Sequence, residues 1–227
     1  MLIKDWMAKD VLTVDENTSV MRATRIMKEK NVRRLPVLSH GKLIGLITDR
    51  DLKDASPSKS TSLDIHEMYY LLSEMKVKDV MTPNPICLRG EDTLEKAAVV
   101  MLMNKISGLP ITDKHGHLAG LLSETDVLQA FIDSTGIQDD TVQYIFDLPD
   151  APGSVTKLVD TLRQYPLRMR SILTSFDSGK EGIKRVAIRV SVAEEDIEKL
   201  TKELADTFEM ILYVKDELSD LPRKEAD

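Results

Sequence analysis

The chain has one cysteine, Cys87, no apolar run near the roughly 20 residues of a membrane span, and no surplus of basic residues. A single thiol cannot close an internal disulfide. Set between Ile86 and Leu88 in a strand-like run, it is expected to be buried and inert. Aromatic residues make up only 4% of 227, against 42% apolar and 30% charged, the composition of a soluble globular protein. The start, MLIKDWMAKD, has neither an apolar core nor a cleavage signature, so secretion is not expected and the cytoplasm is the expected compartment. Residues 137–227 hold 13 basic and 19 acidic side chains and residues 1–136 hold 18 and 19, giving the net −7. Neither part shows the excess expected of a nucleic-acid binder, so neither nucleic acid nor membrane is an expected partner. No G-x-S-x-G elbow, P-loop or metal-ligand set occurs, which argues against an enzyme. His115-Gly116-His117 is a pair of exposed turn histidines without a third ligand, and no metal site is expected.

What the chain does have is a repeat. GLITDRDL at 45–52 returns as GLLSETDV at 120–127. Each copy runs from a small residue through strand-type apolars to a hydroxyl, Thr48 or Ser123, with a carboxylate three residues on, Asp51 or Asp126. That pattern suits a strand entering the first turn of a helix, where backbone N–H groups and the dipole can receive an anion such as phosphate. The carboxylate can accept from both hydroxyls of a ribose. Ser, Thr and Asp are also ordinary helix caps, so one copy alone would say little. Aligning Lys4-Asp5-Trp6-Met7 with Lys78-Asp79-Val80-Met81 sets an offset of 74, which one inserted residue near Lys114 raises to 75. The duplicated unit is too short to bury much core alone, so two copies are expected to form one module.

Each unit reads strand, helix, strand, strand, helix. The short strands fall at 12–14 and 86–88. Thr18 or Ser19 caps the first helix, and Asp92 with Glu95 is expected to form a capping box on the second. Val20, Ala23 and Met27, or Leu94, Ala97 and Met101, form the buried stripe. Turns at Gly41 and Gly116 lead into the motif strands. The expected division is unit 1 at 1–60, a linker helix at 61–77, unit 2 at 78–136, a further domain at 137–216 and a tail at 217–227. The linker places Ile65, Met68, Tyr69, Leu72 and Met75 on one helical face, read as a packing face rather than a base-stacking platform at Tyr69-Tyr70. Gly136 closes unit 2. Beyond it, strands at 141–148, 169–176, 183–192 and 209–214 with helices from Val155 and over 193–207 give a βαββαβ, ferredoxin-like order. The fold class is therefore α/β (α+β).

The doubled motif resembles a tandem pair of cystathionine-β-synthase (CBS) domains. The C-terminal unit, with Asp150-x-Pro152-Gly153, is similar to an ACT domain, and the order CBS–CBS–ACT resembles the acetoin-utilisation accessory proteins. The resemblance implies a regulatory, ligand-sensing protein that binds an adenine nucleotide (AMP, ADP or ATP), forms a homodimer and signals to a downstream protein. It implies Asp51 and Asp126 as ribose ligands beside Thr48 and Ser123. Thr13, Val14, Leu35 and Pro36 would frame one adenine, and Pro85, Ile86, Leu109 and Pro110 the other. Arg33 and Arg34, replaced by Ser107 and Gly108 in the second unit, make the better phosphate pole. Strand alternation sends one of the two to the cleft. In the ACT-like unit, Asp150, Pro152 and Gly153 form the expected ligand loop, or simply the turn that starts a helix. A dimerisation scaffold with vestigial nucleotide sites is the alternative.

Overall fold

The computed structural model describes residues 1–55, 70, 72–176, 179–219 and 221–222. The chain divides into two compact units, Met1–Ala130 and Phe131–Asp227. In the first repeat the elements are β1 (Val14–Asp15), α1 (Val20–Glu29), β2 (Arg34–Ser39), β3 (Lys42–Thr48) and α2 (Asp49–Asp54). Next comes β4 (Thr82–Pro83). The second repeat gives β5 (Leu88–Arg89), α3 (Leu94–Asn104), β6 (Gly108–Thr112), β7 (Leu118–Ser123) and α4 (Glu124–Thr135).

In each repeat a short strand runs parallel to the first hairpin strand, and the hairpin itself is antiparallel. Gly41 and Gly116, at φ 79° and 83°, sit in the left-handed region in the two hairpin turns, and His40 joins Gly41 there at φ 49°. The expected helix stripes are the buried ones: Val20, Ala23 and Met27 on α1, and Leu94, Ala97 and Met101 on α3. Burying such a stripe against a sheet face is what makes these short helices stable. Ser19 caps α1, accepting from the Arg22 N–H at 3.3 Å. On α3 the expected box is corrected, because Thr93 is the cap and accepts from the Lys96 N–H at 3.2 Å. Asp92 cannot serve there, since its carboxylate takes the Arg89 N–H of the preceding turn at 2.8 Å and pairs with Lys96. Cys87 precedes its strand rather than lying in it and is only half-buried, with its thiol donating to Pro85 O.

The two repeats exchange their leading segments. Ile3, ahead of the first repeat, is fully buried in the core of the second with Leu94, Leu109 and Leu122. Val77, ahead of the second, is fully buried in the core of the first with Val20, Leu35 and Ile47. The hydrogen bonds are reciprocal position by position. Ile3 N donates to Asp92 O and Val77 N to Thr18 O; Lys4 N donates to Gly90 O and Lys78 N to Glu16 O. Leu94 N donates to Met1 O, and Val20 N to Met75 O. Ala8 bridges Leu121 as Thr82 pairs with Leu46. An approximate two-fold axis therefore relates the repeats.

The exchange also explains the small residue that opens each motif. A Cβ on Gly45 would lie 2.2 Å from Met81 Sδ, and one on Gly120 would lie 2.5 Å from Met7 Sδ and 2.8 Å from the Ala8 carbonyl oxygen. These glycines make room for the other repeat's methionine.

In the linker, Leu72 and Met75 pack against the first core. Ile65, Met68 and Tyr69 lie outside the described residues, and Tyr70 is exposed.

The second unit continues with β8 (Thr141–Pro149), α5 (Ser154–Leu162), β9 (Arg168–Ser175), β10 (Ile183–Ser191), α6 (Glu194–Thr207) and β11 (Met210–Lys215). This is the expected βαββαβ order. Its sheet is antiparallel, with the strands ordered β11-β8-β10-β9. Leu158 and Leu162 of α5 and Ile197, Leu200 and Leu204 of α6 share one core with Val142, Tyr144, Phe146, Val186 and Ile188. Gly136 follows α4 at φ 63°, as its C-cap reading required. The buried Arg189 guanidinium bonds Asp216, Gln143 and Thr135 O, so this charge is both paired and hydrogen-bonded.

Candidate functional site: two clefts between the repeats

At the first motif, β3 ends at Thr48 and α2 begins. Asp51 Oδ2 accepts from the Thr48 N–H and Oγ1, both at 2.8 Å, while Thr48 Oγ1 accepts from the Asp51 N–H at 3.3 Å. The second motif repeats this set. Asp126 Oδ2 accepts from Ser123 N–H at 2.7 Å and Oγ at 2.6 Å, and Ser123 Oγ accepts from the Asp126 N–H at 3.3 Å. Each motif is thus a capping box that satisfies two orphan N–H groups at a helix start. One carboxylate oxygen does this work in both copies.

Two clefts open beside these boxes, and each is built from both repeats. The smaller, about 310 Å³, has Ser123 and Asp126 on one wall, with Ala8, Asp10, Val11, Leu12, Val32, Arg33 and Arg34 of the first repeat opposite. The larger, about 670 Å³, has Leu46 and Thr48 on one wall, with Thr82, Asn84, Pro85, Ile86 and residues 105–108 of the second repeat opposite. At the offset of 74 these walls correspond nearly residue for residue, 8–12 with 82–86 and 32–34 with 106–108. The crossing is a consequence of the exchanged segments.

The correspondence is incomplete, since Asp126 lines the smaller cleft whereas its equivalent Asp51 is not among the residues lining the larger. Arg33 and Arg34 both line both clefts, which corrects the expectation that alternation sends only one there, because β2 begins at Arg34 and Arg33 lies ahead of it; their equivalents Ser107 and Gly108 line only the larger. Arg34, half-buried, donates through Nη1 to Ser107 O at 2.5 Å and through Nη2 to Ser107 Oγ at 2.9 Å. A Cβ on Gly108 would sit 1.8 Å from Arg34 Nη1. Residues 34 and 108 are equivalent and meet across the axis, so an arginine at one requires a glycine at the other. Burial lowers the Arg34 pKa and Arg33 adds to that, while Asp126, Asp49 and Glu124 hold it up. Arg33 is exposed.

Of the other residues singled out from sequence, Pro85, Ile86 and Pro110 line the larger cleft. Asp51 stands behind Thr48 as its hydrogen-bond partner. Leu35 and Leu109 are fully buried, Val14 is in the first core and Pro36 is buried, and none of these four lines either cleft. Leu35 and Val14 face the first core and Leu109 the second. Thr13 is exposed and borders a separate depression with Lys9, Gly41 and His117. The reading missed 8–12, Asn84 and Lys105, although the offset places 8–12 and 82–86 at matching positions. His117 pairs with Asp113 on the exposed turn, and among the described residues no group of three or more His, Cys, Asp or Glu could hold a metal. Among them also, no helix is long and apolar enough to cross a membrane.

In the second unit, Gly153 is the N-cap of α5 at φ 85°. A Cβ there would meet nothing within 4 Å, though its left-handed backbone still favours glycine. Asp150 donates its N–H to Gly182 O and its carboxylate pairs with Lys184, and Pro152 is exposed.

A family model described as the CBS domain matches residues 3–58 and 77–133. A CBS domain-containing protein of Dictyostelium discoideum is 32% identical over 132 residues, covering 58% of this chain and 91% of that one. Homoserine O-acetyltransferase of Methanohalobium evestigatum is 32% identical over 126 residues, 55% of this chain, but the chain spans only 23% of that enzyme's length. Among solved structures, CBSX2 in complex with AMP is 30% identical with a TM-score of 0.50, covering 58% of this chain and 96% of that one. The chain belongs to the CBS domain-containing proteins, and its tandem pair lies within residues 3–133.

Proposed function

We propose that this protein is a non-catalytic ligand sensor that binds adenine nucleotides of the AMP, ADP and ATP class in the clefts between its repeats. The observation that carries the reading is the composition of each cleft, with one repeat's hydroxyl facing the other repeat's leading segment and Arg33 and Arg34 lining both. Helix N–H groups and a guanidinium suit phosphate, and a carboxylate with an oxygen to spare suits a ribose. The AMP complex of the similar CBSX2 supports the ligand class. The second unit acts as an ACT-like module that promotes homodimerisation or takes a second small ligand near Gly153. A role in acetoin utilisation, with a downstream protein as receiver, rests on domain order alone.

The rival is a dimerisation scaffold, and the capping boxes favour it, because they give both motifs a structural role without any ligand. Calorimetry with AMP, ADP and ATP on the wild type, Asp51→Ala and Asp126→Ala separates the two. Each substitution should cost about 1 kcal/mol of stability through the lost cap. On the sensor reading each should also weaken binding at its own cleft about five- to a hundred-fold. A folded wild type that gives no heat and no thermal shift with any of the three would leave the scaffold standing.

A further inference from the structure

The two clefts are not independent if they draw on one cation. Arg34 heads β2 directly opposite Thr48 in the β2–β3 register, and its side chain crosses the axis to Ser107, next to Gly108, which pairs with Ser123. One guanidinium therefore lies between the two motif hydroxyls. Beyond Arg33 and Arg34, the larger cleft has Arg50, Lys53 and Lys105, whereas among the described residues the smaller has no further cation and carries Asp10 and Asp126.

We infer that Arg34 is shared by the two clefts, so that a phosphorylated nucleotide in the Thr48 cleft draws it away and leaves the Asp126 cleft, with Arg33 as its remaining cation, biased toward adenosine ligands without a charged tail. The inference rests on the nucleotide reading of the clefts. Its physical basis is that a guanidinium fork committed to one phosphate cannot serve a second with the same geometry. By linkage the effect is reciprocal, and phosphate in either cleft disfavours phosphate in the other.

The test is calorimetry on the full chain with AMP and with adenosine. In Asp51→Ala, where the Thr48 cleft is weakened and fills last, AMP should bind the Asp126 cleft about tenfold more tightly than the second AMP binds the wild type. Adenosine should show no such gap, a comparison that needs no Arg34 variant. In Arg34→Gln the AMP gap should close, with Asp51→Ala and Asp51 backgrounds giving the same constant. Equal constants in the wild type and the single-cleft variant, or a gap that survives Arg34→Gln, would overturn the coupling while leaving two nucleotide sites. No heat with either ligand in the wild type would remove the nucleotide reading and this inference with it.

Discussion

In the first repeat, helix α1 presents Arg25, Lys28 and Glu29 to solvent, with Arg25 and Glu29 in an ion pair at 2.7 Å. At the same three positions of the second repeat, α3 presents Val99, Leu102 and Met103, exposed at 54%, 77% and 78%. The stripes on the opposite sides of these helices are of the same kind, Val-Ala-Met against Leu-Ala-Met. Duplication has preserved what each helix buries, while the outer faces have diverged. An exposed apolar patch of this kind marks a contact surface more often than a solvated one. The axis shows the same principle, since 34 and 108 touch and could not both remain arginine.

Exchanging the faces is the harshest way to break this comparison. The triple change Val99→Arg, Leu102→Lys and Met103→Glu gives α3 the outer face of α1. If the homodimer forms through α3, association should be lost altogether with the fold retained, as read by light scattering at micromolar concentration. A dimer that survives the change would place the contact elsewhere.

The motif glycines sharpen the comparison at smaller scale. At Gly45 the three atoms nearest a Cβ all belong to the flexible Met81 side chain, whereas at Gly120 the Ala8 carbonyl oxygen is among them. Gly120→Ala should cost about 2–3 kcal/mol and Gly45→Ala about 1 kcal/mol, the range for overpacking. Urea melts showing equal losses would mean that backbone and side chain yield alike.

The smallest effect concerns Cys87, which stands where the first repeat has the exposed Thr13. Burial raises the thiol pKa, so less thiolate is present at a given pH. At pH 8 the native protein should react with a thiol reagent several-fold more slowly than the urea-unfolded chain, with a rate rising about tenfold per pH unit below the raised pKa. Equal rates in the two states would show that the side chain opens freely.

Much of this architecture was legible in the sequence because the repeat acts as its own control. Two copies of one helix stripe, one hairpin glycine and one motif agreed, and the structure has those elements. The C-terminal βαββαβ order followed from alternation and turn residues in the same way. The cleft walls were less legible. The family resemblance implied Leu35 and Leu109 as cleft residues, yet strand alternation turns them inward. Periodicity reports which residues are buried within one unit, not which unit they are buried in, so the exchange of leading segments was invisible. The reach of Arg34 depended on that exchange. The Asp92 cap failed for a local reason, since the Arg89 N–H of the turn three residues earlier takes the same carboxylate.

The reciprocal seating of Ile3 and Val77 has a consequence for how the module assembles. Each repeat's core closes only when a segment some ninety or some sixty residues away along the chain arrives, as the Leu94–Met1 and Val77–Thr18 bonds record. Contacts of such long sequence separation slow folding and make it all-or-none, because loop closure precedes the gain. Neither repeat has a complete core to fold around by itself. A chain cut between them would offer each half an unfilled socket and a loose plug, and two copies of one half could satisfy each other by swapping.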